Sequence, residues 1–146
     1  MSEVKKGKPL SQKNKDGISK SLKLYFQLHP RKKKEIKNLT DYRNRCQFHF
    51  DVYDYPDEFD FDIIRKYGWY SAINRGGNTC GVSRDHCISV TYGFENNIDP
   101  NIIGHPANCK LMTNSENQSK HKKCSMTIDE LNHKILSWDE KYLKIE

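Results

Sequence analysis

Asp85 and His86 are adjacent, and Asn108, Asn117, Lys120 and His121 follow them along the chain. Those side chains suit phosphodiester hydrolysis with a single metal ion. A carboxylate and an amide oxygen can hold a hard divalent cation, and an imidazole that titrates near neutrality can take a proton from water. Neighbouring residues of an extended strand point to opposite sides, so one short segment can offer Asp85 to a metal and His86 to a water. Asn117, on a helix packed against that strand, would close the site from the other side. An Asp-His pair is common by chance, so the surrounding elements must carry the argument.

GVSRDHCISV, with β-branched residues around a polar centre, reads as a strand or hairpin after the turn NRGGN. NNIDPNIIGHP reads as a loop in which Pro100 starts a helix and Pro106 blocks its continuation; NCKLM is a short extended piece. SENQSKHKK predicts a polar helix from about Ser115, and Thr127 with Glu130 forms a T-x-x-E capping box before a C-terminal amphipathic helix. Upstream, Thr40 can cap a helix bearing Tyr42 and Cys46, although Phe48, Phe50 and Val52 alternate as in a strand, and both readings stand. Phe59, Ile63 and Ile64 predict a short helix closed by Gly68. The acids from Asp51 to Asp62 read as a solvated face. Tyr42, Phe59, Ile63, Trp69 and the C-terminal helix are the expected scaffold.

The chain has 146 residues, 35% of them hydrophobic and 30% charged, with a mean hydropathy of -0.92, so the core must be small and local. The net charge of +6 is uneven. Residues 1–38 hold 12 Lys+Arg and 3 acids, and the remainder holds 13 and 16. A basic segment on a near-neutral body is what a polyanion-binding attachment looks like, because each neutralised phosphate releases counterions. Within this arm Ser11 is a plausible N-cap, Ile18, Leu22 and Tyr25/Phe26 fall at helical spacing, and Pro30 ends the helix. Lys13, Lys20, Lys23, Arg31, Lys32 and Lys33 are its expected phosphate contacts.

No run approaches the roughly 18 apolar residues of a membrane span, and the N-terminus has no signal-peptide core, so a cytoplasmic location and no membrane partner are expected. Five cysteines at 46, 80, 87, 109 and 124 include no CxxC pair. Buried free thiols are expected and structural zinc is not; the alternative is a zinc site drawing on Cys80, Cys87, Cys109 or Cys124 with a nearby histidine.

GVSRDHCISV, HPANCKLM and ENQSKHK, in this order and with Asn117 nine residues after Asn108, closely resemble the ββα-metal motif of HNH endonucleases, especially the phage and mobile-element type. YRNRCQFHF, YPDEFDFDII and GWYSAINRGGN are similar to the segment preceding the motif in free-standing phage members. GKPLSQKNKDGISKSLK more weakly resembles the modular DNA-binding repeats of homing endonucleases. The resemblance implies an α+β fold: a small ββα-metal core with flanking helices and a basic helical arm. The expected divisions are a DNA-binding arm at 1–38, an aromatic-rich lead-in at 39–75, the motif at 76–125 and a C-terminal helix at 126–146.

By this resemblance His86 is the general base, Asp85 and Asn117 hold one Mg²⁺ or Mn²⁺, and the products carry 5′-phosphate and 3′-hydroxyl ends. Asn108 matches the motif's middle Asn, which ties the loop to the hairpin and helps orient His86. The motif's third position can be His or Asn, and His121, four residues after Asn117, could share its helix face. The Asn spacing favours Asn117, leaving Lys120, His121 and Lys122 to contact phosphate. His105 is read as a loop hydrogen-bonder, and His29, His49 and His133 as surface or core residues.

The implied activity is hydrolysis of duplex DNA without a small-molecule cofactor, by a monomer or homodimer, as a homing or phage nicking enzyme, in the host cell if phage-encoded. The competing classes are a catalytically silent nucleic-acid-binding accessory protein and, less favoured, a nuclease toxin, for which no delivery domain or immunity partner is visible.

Overall fold

The chain divides into two units, Met1–Glu35 and Ile36–Glu146. The computed structural model describes residues 35–143, nearly all of them in the second unit. The arm helix and its Lys13, Lys20, Lys23, Arg31, Lys32 and Lys33, with His29, lie outside the described residues. What is described is a small mixed α+β structure: one two-stranded antiparallel sheet and six α-helices.

Helix α1, Leu39–Arg45, starts two residues earlier than expected. Asn38, not Thr40, caps it, its side chain accepting from Asp41 N at 2.9 Å. Asn is as strong a cap as Thr, and here its extended backbone aims the side chain at the third helical N–H. Cys46 ends α1. The alternation of Phe48, Phe50 and Val52 does not make a strand, because Asp51 caps a 3-10 turn at Val52–Asp54. These aromatics pack inward one by one: Phe50 against Phe59 and Tyr55, Phe48 against His86.

Helix α2, Asp62–Tyr67, closes on Gly68, whose φ of 67° suits glycine. The next residue corrects an expectation. Trp69 is 38% exposed, donating from its indole N–H to Tyr53 Oη at 3.3 Å, and Trp138 is the core tryptophan at 5%. Trp69 stays outside because its backbone pairs in parallel with Val82 along the sheet edge. Gly81 permits that approach; a Cβ there would sit 2.4 Å from the Trp69 carbonyl carbon and from Tyr70 N.

Strand β1, Val82–His86, pairs with β2, Cys109–Thr113, in a register that sets Asp85 opposite Lys110 and His86 opposite Cys109. GVSRDHCISV is therefore not a hairpin. Its tail leaves the sheet at Cys87, and Ser89 caps a helix that the sequence reading lacked, α3 at Val90–Glu95. Helix α4, Pro100–Ile103, begins at Pro100 as expected, and a 3-10 turn at Pro106–Asn108 leads into β2. Helix α5, Asn114–Lys120, packs on both strands and starts one residue before Ser115, fixed by a capping box between Thr113 and Glu116. Helix α6, Ile128–Tyr142, has the expected Thr127/Glu130 box.

The core lies where the strand pair meets α1, α4 and α6, around Tyr42, Val82, Ile103, Leu131 and Trp138. Burying a side chain such as Leu131 contributes about 1.5–3 kcal/mol. His105 Nε2 meets Asp139 Oδ1 at 3.1 Å and its Nδ1 accepts from Ala107 N, tying α6 to the turn before β2. Cys46, Cys87 and Cys109 are buried, whereas Cys80 and Cys124 are exposed, against expectation, because both sit in loops outside the sheet. Among the described residues no helix is long and apolar enough to cross a membrane.

Candidate functional site

The alternation of β1 decides what each of its residues meets. Ser83 and Asp85 face α5, where Asn117 and Lys120 lie one turn apart. Arg84 and His86 face the segment after α1: Arg84 donates to the Phe50 carbonyl at 2.9 Å, and His86 Nε2 lies 2.8 Å from the Cys46 carbonyl. The end of β1 thus stands between α5 and that segment. A groove of about 500 Å³ opens there, lined by Asp85, His86, Asn117, Lys120, His121 and Lys122 together with Arg43 of α1. His86 and Asp85, although on opposite sides of the strand, both reach it.

The ring of His86 is held on two sides. Phe48 stacks on it, centroids 4.0 Å apart at 16°. A carbonyl can only accept, so the nitrogen facing Cys46 O carries hydrogen, and in the neutral ring Nδ1 keeps its lone pair. Burial is the main influence on its titration and lowers the pKa below the ordinary 6.5, with the Cys46 carbonyl and the Asp85 charge opposing that shift. The imidazole is therefore a neutral base near pH 7.

Asp85 is buried at 9% exposure, and its Oδ2 lies 2.7 Å from Lys120 Nζ. The contact is a meeting of charges rather than a hydrogen bond. Lys120 Nζ donates with good geometry to the His86 carbonyl, also at 2.7 Å, and Asp85 Oδ2 has no hydrogen-bond donor. An oxygen compensated by one ammonium and by no hydrogen bond keeps lone pairs that a further ligand can use. Asn117 donates from Nδ2 to Ser83 Oγ at 3.2 Å, which leaves its amide oxygen as the atom it can offer. One carboxylate oxygen and one amide oxygen suit Mg²⁺ or Mn²⁺, which keep several waters and take phosphate oxygens as further ligands. Among the described residues no three His, Cys, Asp or Glu side chains gather as a metal-holding group.

Compared with protein-family models, curated proteins and solved structures, the chain matches none.

Asn108 stands apart from the groove. It is fully buried, with Oδ1 accepting from Ile88 N at 2.8 Å and Nδ2 donating to the carbonyls of Ile88 at 3.2 Å and Ile103 at 2.8 Å. Its backbone carbonyl takes Cys87 N at 2.8 Å. Asn108 therefore clamps the chain immediately after His86 and touches nothing in the groove.

His121 does not share a helix face with Asn117. Helix α5 ends at Lys120, and His121 turns to φ 52° as its C-cap, a left-handed backbone that costs a non-glycine residue about 1–2 kcal/mol. It lines the groove from the exposed rim, as does Lys122. His49 and His133 are exposed. Three residues of the site were not foreseen: Arg43, whose only sign was the basic YRNR string, Phe48, and Cys46 acting through its carbonyl. A backbone carbonyl leaves no mark in a sequence.

Proposed function

We propose that this protein is a divalent-metal-dependent endonuclease of the HNH, ββα-metal type that hydrolyses phosphodiester bonds in DNA. The observation that carries the reading is the buried, donorless Asp85 Oδ2 in the same groove as a neutral His86 whose Nδ1 is unclaimed. The order of parts supports it: β1 brings Asp85 and His86, the entry to β2 brings Asn108, and α5 brings Asn117.

Asp85 and Asn117 would hold Mg²⁺ or Mn²⁺, which supplies charge to polarise a phosphate oxygen and to stabilise the leaving 3′ oxygen. His86 takes the proton of the attacking water at Nδ1 while its Nε2–H stays on the Cys46 carbonyl. The stacked ring of Phe48 fixes the direction of that lone pair, and the Cys46 carbonyl, accepting from Nε2–H, stabilises the imidazolium that results. Asn108 acts only by position, holding Cys87 and Ile88 so that His86 cannot drift. Arg43, Lys122 and the basic arm attract the phosphate backbone without reading bases.

Incubating supercoiled plasmid with the full chain, in Mg²⁺ and in EDTA, tests the proposal. Nicked or linear DNA bearing 5′-phosphate ends should form only with the metal. DNA retention without cleavage in Mg²⁺ or Mn²⁺ would instead identify a nucleic-acid-binding protein that lacks turnover.

A further inference from the structure

Lys120, expected to contact phosphate, sits within the groove. Its side chain and that of Asp85 are each only 12% exposed, and its ammonium lies 2.7 Å from both Asp85 Oδ2 and the His86 carbonyl oxygen. An ammonium there meets the one carboxylate that a metal in this groove would need. Two cations cannot share Asp85 Oδ2 at contact distance, since like charges a few ångströms apart repel strongly where water is scarce. Lys120 is also one turn from Asn117 on α5, so its flexible stem can leave Asp85 for the groove mouth without moving the helix.

We infer that Lys120 is a resident counter-cation of the Asp85 site, competing with divalent metal and surrendering Asp85 when a phosphate draws its ammonium away. This rests on the metal-site reading above. Free protein then binds metal weakly, because metal must displace an ion pair already formed. A bound phosphate group offers the ammonium a second anion, so phosphate and metal bind with positive coupling, reciprocal by thermodynamic necessity. Without Lys120 the competition is lost and metal binds more tightly to the free protein, leaving only the coupling that direct metal–phosphate contact supplies.

The test is Mn²⁺ affinity of the full chain, read from the free-ion EPR signal, for wild type, Lys120→Met, Lys120→Arg and Asp85→Asn, with and without a short DNA duplex carrying non-hydrolysable linkages. Lys120→Met should bind Mn²⁺ about 10- to 100-fold more tightly than wild type in the absence of DNA, the range of ordinary coupling between sites. Its affinity should respond to the duplex less than the wild type's, since only direct metal–phosphate contact then couples the two. Lys120→Arg, which keeps the charge, should remain weak. Thermal unfolding gives a second readout: Lys120→Met should melt lower than wild type without metal and gain more from Mn²⁺, so a weakly folded variant is still informative. If Mn²⁺ binding depends on Asp85 but Lys120→Met binds no tighter than wild type, the competition is overturned while the metal site stands. If Asp85→Asn binds Mn²⁺ as Lys120→Met does, the site itself is misassigned and both readings fall.

Discussion

Asn108 and Asp85 are buried polar residues of the same strand pair, one at the entry to β2 and the other near the end of β1, and their polar atoms end up in opposite situations. Both ends of the Asn108 amide are engaged, with backbone groups of Ile88 and Ile103. Asp85 keeps a buried carboxylate oxygen with no donor, faced only by the ammonium of Lys120. Folding alone accounts for the first arrangement, since every buried partner is matched. In the second, attraction to a single ammonium takes the place of hydrogen bonds, and the oxygen keeps lone pairs free. Within one small unit, hydrogen-bond satisfaction separates the residue that holds the structure from the residue proposed above to take a metal ion.

The largest effect expected lies on the groove side. His86→Ala should lower the rate of metal-dependent cleavage on the order of 10³-fold, the usual worth of a positioned base, with the fold retained by circular dichroism. Cleavage at the wild-type rate would show that another group activates the water. On the structural side, Asn108→Ala strands the Ile88 N–H and two carbonyls, and should cost about 3 kcal/mol or more in chemical denaturation. Asp85→Asn removes the ion pair with Lys120 but keeps an oxygen that can accept from its ammonium, so it should cost less; equal losses would erase the contrast between the two residues. Smaller still are the caps. Thr113→Ala and Thr127→Ala should each destabilise by about 1 kcal/mol, and only Thr113→Ala, at the start of the helix bearing Asn117 and Lys120, should also weaken cleavage.

The finest distinction is in proton binding. Burial lowers the His86 pKa, so as pH falls below 6.5 the unfolded chain takes up a proton that the folded chain still refuses. Stability contributed by this residue is therefore complete above 6.5 and lost as pH falls toward the lowered folded value. An NMR titration of the imidazole should give a midpoint below 6.5, and the acid limb of cleavage should follow it. A midpoint above 6.5 would mean that the charges of Asp85 and the Cys46 carbonyl outweigh burial.

The parts of the fold that were legible in sequence carry local signals: Pro100 at a helix start, Gly68 at a helix end, and the Thr127/Glu130 box. The Thr113/Glu116 box has the same T-x-x-E form and places the start of α5, yet the polar string after it drew the boundary to Ser115. Trp69 was misjudged because aromatic character predicts burial, whereas its place on the sheet edge follows from a close approach that only Gly81 allows. For the site, Asp85, His86 and Asn117 were readable as a set of residue types. The hold on His86 was not, because it comes from a carbonyl and a phenyl ring far upstream, and neither has a spacing rule. Nor was the position of Lys120, which depends on where α5 stops.

The bond between His86 and Cys46 also bears on how far this machinery could be moved. A peptide cut to the strands and the helix that carry Asp85, His86 and Asn117 would leave behind both the carbonyl that sets the imidazole's tautomer and the phenyl face it leans on. Grafted onto another scaffold, such a cassette would present a freely swivelling ring. The lead-in around Cys46 and Phe48 is the unmarked half of the apparatus, and any transplant must carry it along.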